Sequence, residues 1–318
     1  MNLTRRGHAR AAAPAQQSLV ADEAAQWRKA GNIRIARGPT RRTPDMNTLQ
    51  TNLFKRALRE GRTQIGIWST LASPYATELV AGAGYDWGLL DTEHTPSDVP
   101  LMLNQLQAVA SATPAAGATP MEPVVRPAWN DTVLIKRYLD IGARSLLLPF
   151  VQNADEARAA VRATRYAPAG VRGMGGSTRA TNFGRTAGYV EHAHEDICLL
   201  VQVETREALA QIEAIAAIDG IDGIFIGPAD LSASMGHPGQ PRHPEVDAAI
   251  DDAIVRIRRA GKAPGILMAD AERARACIAL GAQFVAVAMD MLVLRNGVDG
   301  IAAQWRDTGA AAGRSNSY

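Results

Sequence analysis

The segments AGAGYDWGLLD (81–91), LDIGARSLLLP (139–149), RRAGKAPGILM (258–268) and ALGAQFVAVAMD (279–290) share one grammar. Each closes a helix-period stretch, passes a glycine suited to a left-handed cap, and enters an apolar run that reads as a strand buried on both faces. Eight such runs occur: QIGIW, WGLLD, PVVRP, SLLLPF, CLLVQV, GIFIG, PGILM and FVAVAM. Helix-length segments separate most of them. Eight βα units in about 250 residues is the arithmetic of an α/β TIM (β/α)8 barrel. A doubly wound open sheet uses the same units and is the alternative. The glycine-rich RGMGGSTRA (172–180) resembles a phosphate loop only on the surface, because it does not join a strand to a helix as that loop must.

The chain has 318 residues, 47% of them hydrophobic, enough for a sizeable core and too many for disorder throughout. Its net charge of +2 conceals an asymmetry. Residues 1–45 hold nine Arg/Lys against three acids, so the other 273 carry 25 basic and 29 acidic side chains. A mildly acidic body gives no reason to expect a nucleic-acid or membrane-surface partner. The first 45 residues lack the apolar core of a secretory signal, and we expect a largely disordered extension, with Met46 starting a barrel domain over 46–318. No apolar run is long enough to span a bilayer, and a cytoplasmic enzyme is expected. Cys198 and Cys277 lie in apolar segments, where buried thiols are the bland reading; two cysteines exclude a disulfide framework and a cysteine-based zinc site.

Chemistry on a barrel belongs at the C-terminal ends of the strands, and polar residues appear there four times. WGLLD ends in Asp91-Thr92-Glu93-His94, PVV in Arg126, LLVQV in Gln202 and Glu204, and GIFIG in Pro228-Ala229-Asp230. Glu204 and Asp230 offer the hard oxygens that suit Mg²⁺ or Mn²⁺; otherwise they are ion-paired to Arg126 and Arg206. His94 reads as a general base with Asp91 orienting its ring, or as a hydrogen-bonded histidine without a role. Arg126 has the planar fork that grips a carboxylate, or it simply pairs with Asp91 or Glu93. Trp68, Ala229 and Leu267 are expected to line the substrate site, although Trp68 could equally be packing. The EHAHE run (191–195) reads as a solvated face, and His237 and His243 as a loop capping the helix from Pro244. Of the four lysines, Lys29, Lys55, Lys136 and Lys262, none is placed for a Schiff base, so carbonyl chemistry here would need a metal.

From about Phe54 to Trp305 the chain resembles the metal-dependent (class II) pyruvate aldolases, the family of 4-hydroxy-2-oxoheptanedioate aldolase. The resemblance rests on QIGIW (64–68), LLDTEH (89–94), PVVRPAWND (123–131), VQNADEARAAVRATRYAPAGVRG (151–173), VQVET (201–205), GIFIGPADLS (223–232) and AGKAPGIL (260–267). It implies that Glu204 and Asp230 ligate a divalent ion (Mg²⁺ or Mn²⁺, with Co²⁺ also admissible) that chelates the 2-oxo acid. It further implies that Arg126 stabilises the enolate, that His94 with Asp91 moves protons, that Gln202 supports the metal site, and that Asp140 completes the site of a neighbouring subunit. Homo-hexamers that exchange a C-terminal helix are implied too. The expected reaction is retro-aldol cleavage of a 4-hydroxy-2-oxo acid to pyruvate and an aldehyde, succinate semialdehyde for the heptanedioate. A 2-keto-3-deoxy-sugar-acid aldolase of rhamnonate type is the alternative, a CoA-thioester lyase less favoured, and a non-catalytic ligand-binding barrel least. Two segments depart from the pattern: an Ala/Pro-rich insertion at 111–122, and GMGGSTRATNFGR (173–185), expected to border the substrate region.

Overall fold

In a computed structural model describing residues 52–306, eight parallel strands close into a barrel in sequence order. They are β1 (Gln64–Ser69), β2 (Trp87–Asp91), β3 (Glu122–Arg126), β4 (Ser145–Leu148), β5 (Cys198–Val203), β6 (Gly223–Ile226), β7 (Ala263–Leu267) and β8 (Phe284–Met289). Each of the eight apolar runs is one of these strands. Pairing of β8 with β1, Gln64 against Phe284, removes both edges and excludes the open sheet. The described barrel is the expected TIM fold, and the junction glycines Gly84, Gly142, Gly261 and Gly281 all take positive φ, as left-handed caps do.

Helix α1 (Leu53–Arg59) precedes β1; α2 (Pro74–Ala81), α3 (Val99–Ser111), α4 (Thr132–Asp140) and α5 (Ala154–Thr164) follow β1 to β4. Helix α6 (Tyr189–Asp196) leads into β5. After β5 come α7 (Arg206–Leu209) and α8 (Ile212–Ala216), after β6 α9 (Pro228–Ser234) and α10 (Pro244–Arg259), then α11 (Ala271–Leu280) and α12 (Asp290–Gln304). The loops leaving strand C-termini end in side chains that accept helix N–H groups: Asp98, Asp131, Asn153 and Thr205 cap α3, α4, α5 and α7. His243 caps α10, as expected, its side chain accepting from Glu245 N.

The core has two layers. Leu90, Val125, Leu146, Val201 and Ile224 face outward under the helices. Trp68, Trp87, Leu89, Leu147, Cys198, Phe225 and Phe284 fill the barrel interior. Alternation along each strand feeds the two layers, so a strand must be apolar throughout. Gly66 shows how tight the interior is: a Cβ there would lie 2.3 Å from the Trp87 ring. Helix α1 closes the N-terminal end, Phe54 packing 5.7 Å from Trp87 and 6.0 Å from Phe284. Both cysteines are free and buried, as expected, and burial pushes the Cys198 thiol well up.

Both departures from the family pattern join a helix to the next strand, so they lie at the N-terminal end of the barrel. The 111–122 insertion links α3 to β3. Segment 173–185 lies between α5 and α6, with Arg179 donating to Ile141 O. This corrects its expected place beside the substrate region: within one chain it is at the opposite end from the strand C-termini, because a βα unit returns its helix there. A cleft of about 990 Å³ also opens at that end, where Lys55 pairs with Asp222 (3.4 Å) and Arg165 with Asp219 (3.0 Å). No described helix is long and apolar enough to cross a membrane. The expected extension 1–45 and the start at Met46 lie outside the described residues.

Candidate active site

Asp91 and Arg126 are the last residues of β2 and β3 and are paired in register. Their side chains therefore emerge together at the barrel mouth, and both are buried. Arg126 donates from Nε to Asp91 Oδ1 (2.8 Å) and from Nη2 to Oδ2 (2.7 Å), while Nη1 lies 2.7 Å from Glu93 Oε2. Its guanidinium stands 4.7 Å over the Trp68 ring. Below, the Arg126 carbonyl accepts from Thr92 N and Oγ1, and Tyr138 donates to that hydroxyl. The guanidinium is thus fixed on several sides, by two hydrogen bonds to Asp91, an ion pair with Glu93 and the face of Trp68.

This arrangement corrects the expected Asp91–His94 couple. Asp91 is taken up by Arg126 and by the Glu93 N–H (3.0 Å), whereas the His94 side chain is 66% exposed with Glu93 Oε1 at 3.8 Å. The reason is local: residues 92–95 form bends, not a helical turn, so a spacing of three does not put the two side chains on one face. Glu93 was visible in the sequence only as a possible ion-pair partner. It bridges Arg126 and the region of His94.

The second half of the site follows β5 and β6. Glu204, 2% exposed, accepts from Phe150 N at 2.9 Å and from Gln202 Nε2 at 2.5 Å. Burial pushes its carboxyl up to about 7; the Gln202 bond opposes this, and repulsion from Asp230 and Glu93 adds to it. Burial likewise raises Glu93, with Arg126 opposing. Asp230, exposed in the first turn of α9, thus shares an electrostatic cluster with Glu204 and Glu93. Among the described residues neither Glu204 nor Asp230 forms an ion pair, and Arg206 instead donates to Met235 O. The structural ion-pair reading of these two acids is thereby set aside. Gln202 Oε1 is buried without a hydrogen-bond partner. Gly227 makes room for the pair, since a Cβ there would lie 2.5 Å from Glu204 Oε2. Hard oxygens, crowded negative charge and an unpartnered amide oxygen fit a divalent cation.

The other expected residues divide. Trp68 is buried in the barrel interior and packs beneath Arg126. Leu267, ending β7, is partly exposed against that interior cluster, and Ala229 is exposed beside Asp230. Asp140 is elsewhere. It ends α4, which runs away from the mouth, and accepts from Arg172 at 3.0 Å. Among the described residues no lysine stands at the strand C-termini; Lys55 and Lys262 donate to Ile197 O and Ile221 O at the other end. His237, His243 and Glu245 gather their donor atoms within 4.8 Å. Their imidazoles stack face to face with centroids 3.5 Å apart, so their in-plane lone pairs run side by side, and the contact serves the cap of α10.

A closed βα barrel with a clamped arginine facing a carboxylate cluster at the strand C-termini is the architecture of an enzyme acting on a small, anionic, oxygen-rich molecule. The profile of the HpcH/HpaI aldolase/citrate lyase family matches residues 64–297, and the chain belongs to that family. It is 56% identical over 255 residues to a 4-hydroxy-2-oxo-heptane-1,7-dioate aldolase of Klebsiella pneumoniae, covering 80% of this chain and 94% of that one. It is 57% identical over 257 residues to a pyruvate aldolase of Rhizobium etli, covering 81% and 98%. Among solved structures, an HpcH/HpaI aldolase/citrate lyase family protein from Burkholderia cenocepacia superposes with a TM-score of 0.76 at 38% identity, covering 81% and 100%. The protein is an aldolase-family enzyme, a carbon–carbon lyase.

Proposed function

We propose that the protein catalyses reversible retro-aldol cleavage of a 4-hydroxy-2-oxo acid, with 4-hydroxy-2-oxoheptanedioate as the best substrate, to pyruvate and an aldehyde, here succinate semialdehyde. The observation that carries this reading is Arg126, held rigid by Asp91 and Glu93, with Glu93 also in the electrostatic field of Glu204 and Asp230. Glu204 and Asp230, backed by Gln202, would hold a divalent ion, Mg²⁺ or Mn²⁺ with Co²⁺ admissible, which when bound polarises the keto oxygen of the substrate.

The chain's own groups account for the rest. Arg126 donates to the pyruvyl oxygen, where negative charge grows as the C3–C4 bond breaks, and its clamps mean that little reorganisation is needed then. His94, at the solvent edge of the site, accepts the C4 hydroxyl proton through water. The electron pair of the broken bond becomes the enolate, and protonation at C3 gives pyruvate. Asp91 orients Arg126 in this scheme, not His94. Asp140 faces away from its own site, so its part is in that of a second copy, within a homo-hexamer. The aldolase names of relatives above 50% identity support the reaction class.

The test is pyruvate release from a panel of 4-hydroxy-2-oxo acids before and after chelation. Activity should vanish with chelator and return with Mn²⁺ or Mg²⁺. Turnover indifferent to chelation, or a lysine adduct trapped by borohydride, overturns the reading.

A further inference from the structure

In the reaction above, everything beyond C4 departs as the aldehyde, so aldehyde selectivity depends on where that part of the substrate lies. The barrel interior is closed to it: Trp68, Leu147 and Phe225 fill the space beneath the site. With the 2-oxo acid end at Glu204, Asp230 and Arg126, the rest of the molecule must run outward across the rim. On the β3–β4 side that rim carries two exposed rings. Trp129, three residues after β3, is 52% exposed and Phe150, two after β4, is 39% exposed. They stack with centroids 5.5 Å apart and planes at 28°.

Two observations tie this pair to the site. The backbone N–H of Phe150 is the group that donates to Glu204 Oε1 at 2.9 Å, so the ring springs from the residue that holds that carboxylate. Phe150 also has φ +55, a left-handed conformation that bulky residues rarely adopt. Glycine would give the same N–H at greater ease. The donation needs only the backbone, and the phenyl ring is an addition that packs against Trp129.

We propose that Trp129 and Phe150 form the aldehyde subsite, an apolar flat-faced wall that favours aldehydes bearing an aromatic or extended apolar group on the carbonyl carbon. In a heptanedioate, the methylenes of the departing half would lie on it. This inference rests on the aldolase reading and specifies the substrate class of that same site.

Phe150→Gly is the informative variant, because it keeps the backbone conformation and the bond to Glu204 while deleting the ring; Trp129→Ala removes the other face. For the full-length Mn²⁺-loaded enzyme and both variants, three quantities are measured. These are kcat/KM for pyruvate addition to benzaldehyde and to acetaldehyde, solvent deuterium exchange into the pyruvate methyl group without aldehyde, and oligomeric state by sedimentation. The expected result is a fall of about tenfold in the benzaldehyde-to-acetaldehyde ratio in each variant, exceeding any loss of exchange, with assembly unaltered. An unchanged ratio beside intact exchange overturns the subsite alone. A changed assembly assigns the rings to a subunit interface and also overturns it. Absence of exchange in the parent enzyme overturns the aldolase reading and the subsite with it.

Discussion

Arg126 shows what one residue must satisfy here. Its three nitrogens engage two carboxylates, and its buried guanidinium lies over Trp68. Removing it leaves Asp91 and Glu93 facing each other without a cation, and Arg126→Ala should destabilise the fold by about 3–5 kcal/mol as well as abolish cleavage. A denaturant melt matching the parent protein would show that the clamp is not structural. Arg126→Lys keeps the charge but cannot span both acids, and should lower kcat by about 10²-fold or more. Glu204 makes the second residue-scale prediction. Its folded pKa of about 7 exceeds the ordinary 4.5, so the folded state binds more protons between those values. In chelator, stability should therefore be full below pH about 4.5 and fall as pH rises through about 7, by no more than about 3 kcal/mol. Glu204→Gln should flatten that slope in melts recorded across the range; a slope that persists in the variant assigns it to another group. The identities of these residues were legible as charges that follow buried strands. Their partners were legible only as alternatives: Asp91 could serve His94 or pair with Arg126, and the register of β2 and β3 decided for Arg126.

At the scale of elements, strands were easier to read than helix caps and loops, because full burial on both faces leaves an apolar run that nothing else in the chain imitates. The β6–α9 turn depends on a single small residue. Gly227→Ala would push a methyl group to within 2.5 Å of Glu204 Oε2 and 2.8 Å of Gln202 Nε2. Metal affinity measured by titration should weaken about 10–100-fold, and the melting temperature should fall too, because both displaced side chains are buried. Unaltered affinity would mean that the carboxylate has slack not evident in its hydrogen bonds. Helix α1 is structural by contrast. Phe54→Ala opens a void between Trp87 and Phe284 and should cost about 3–5 kcal/mol in a denaturant titration, with KM unaffected in the folded fraction.

Across the whole molecule, the family profile matches residues 64–297, and the two relatives align over 80–81% of the chain and 94–98% of their own length. Removing residues 1–45, which hold nine of the 34 basic side chains, should leave kcat/KM within about twofold; a larger loss would assign that segment a part in the enzyme. Composition, strand count and the placement of lysines were readable without coordinates, because burial and backbone geometry act over a few neighbouring residues and leave periodic marks. The barrel was determined at that level, and Glu204, Asp230 and Arg126 were marked there as charges that follow buried strands. The tertiary structure alone decided which charges meet: that Asp91 clamps Arg126, that Phe150 supplies a backbone donor to Glu204, and that Asp140 and the 173–185 segment lie at the far end. Those facts depend on inter-strand register and on where each helix returns the chain, and such long-range geometry has no local signature in the order of residues.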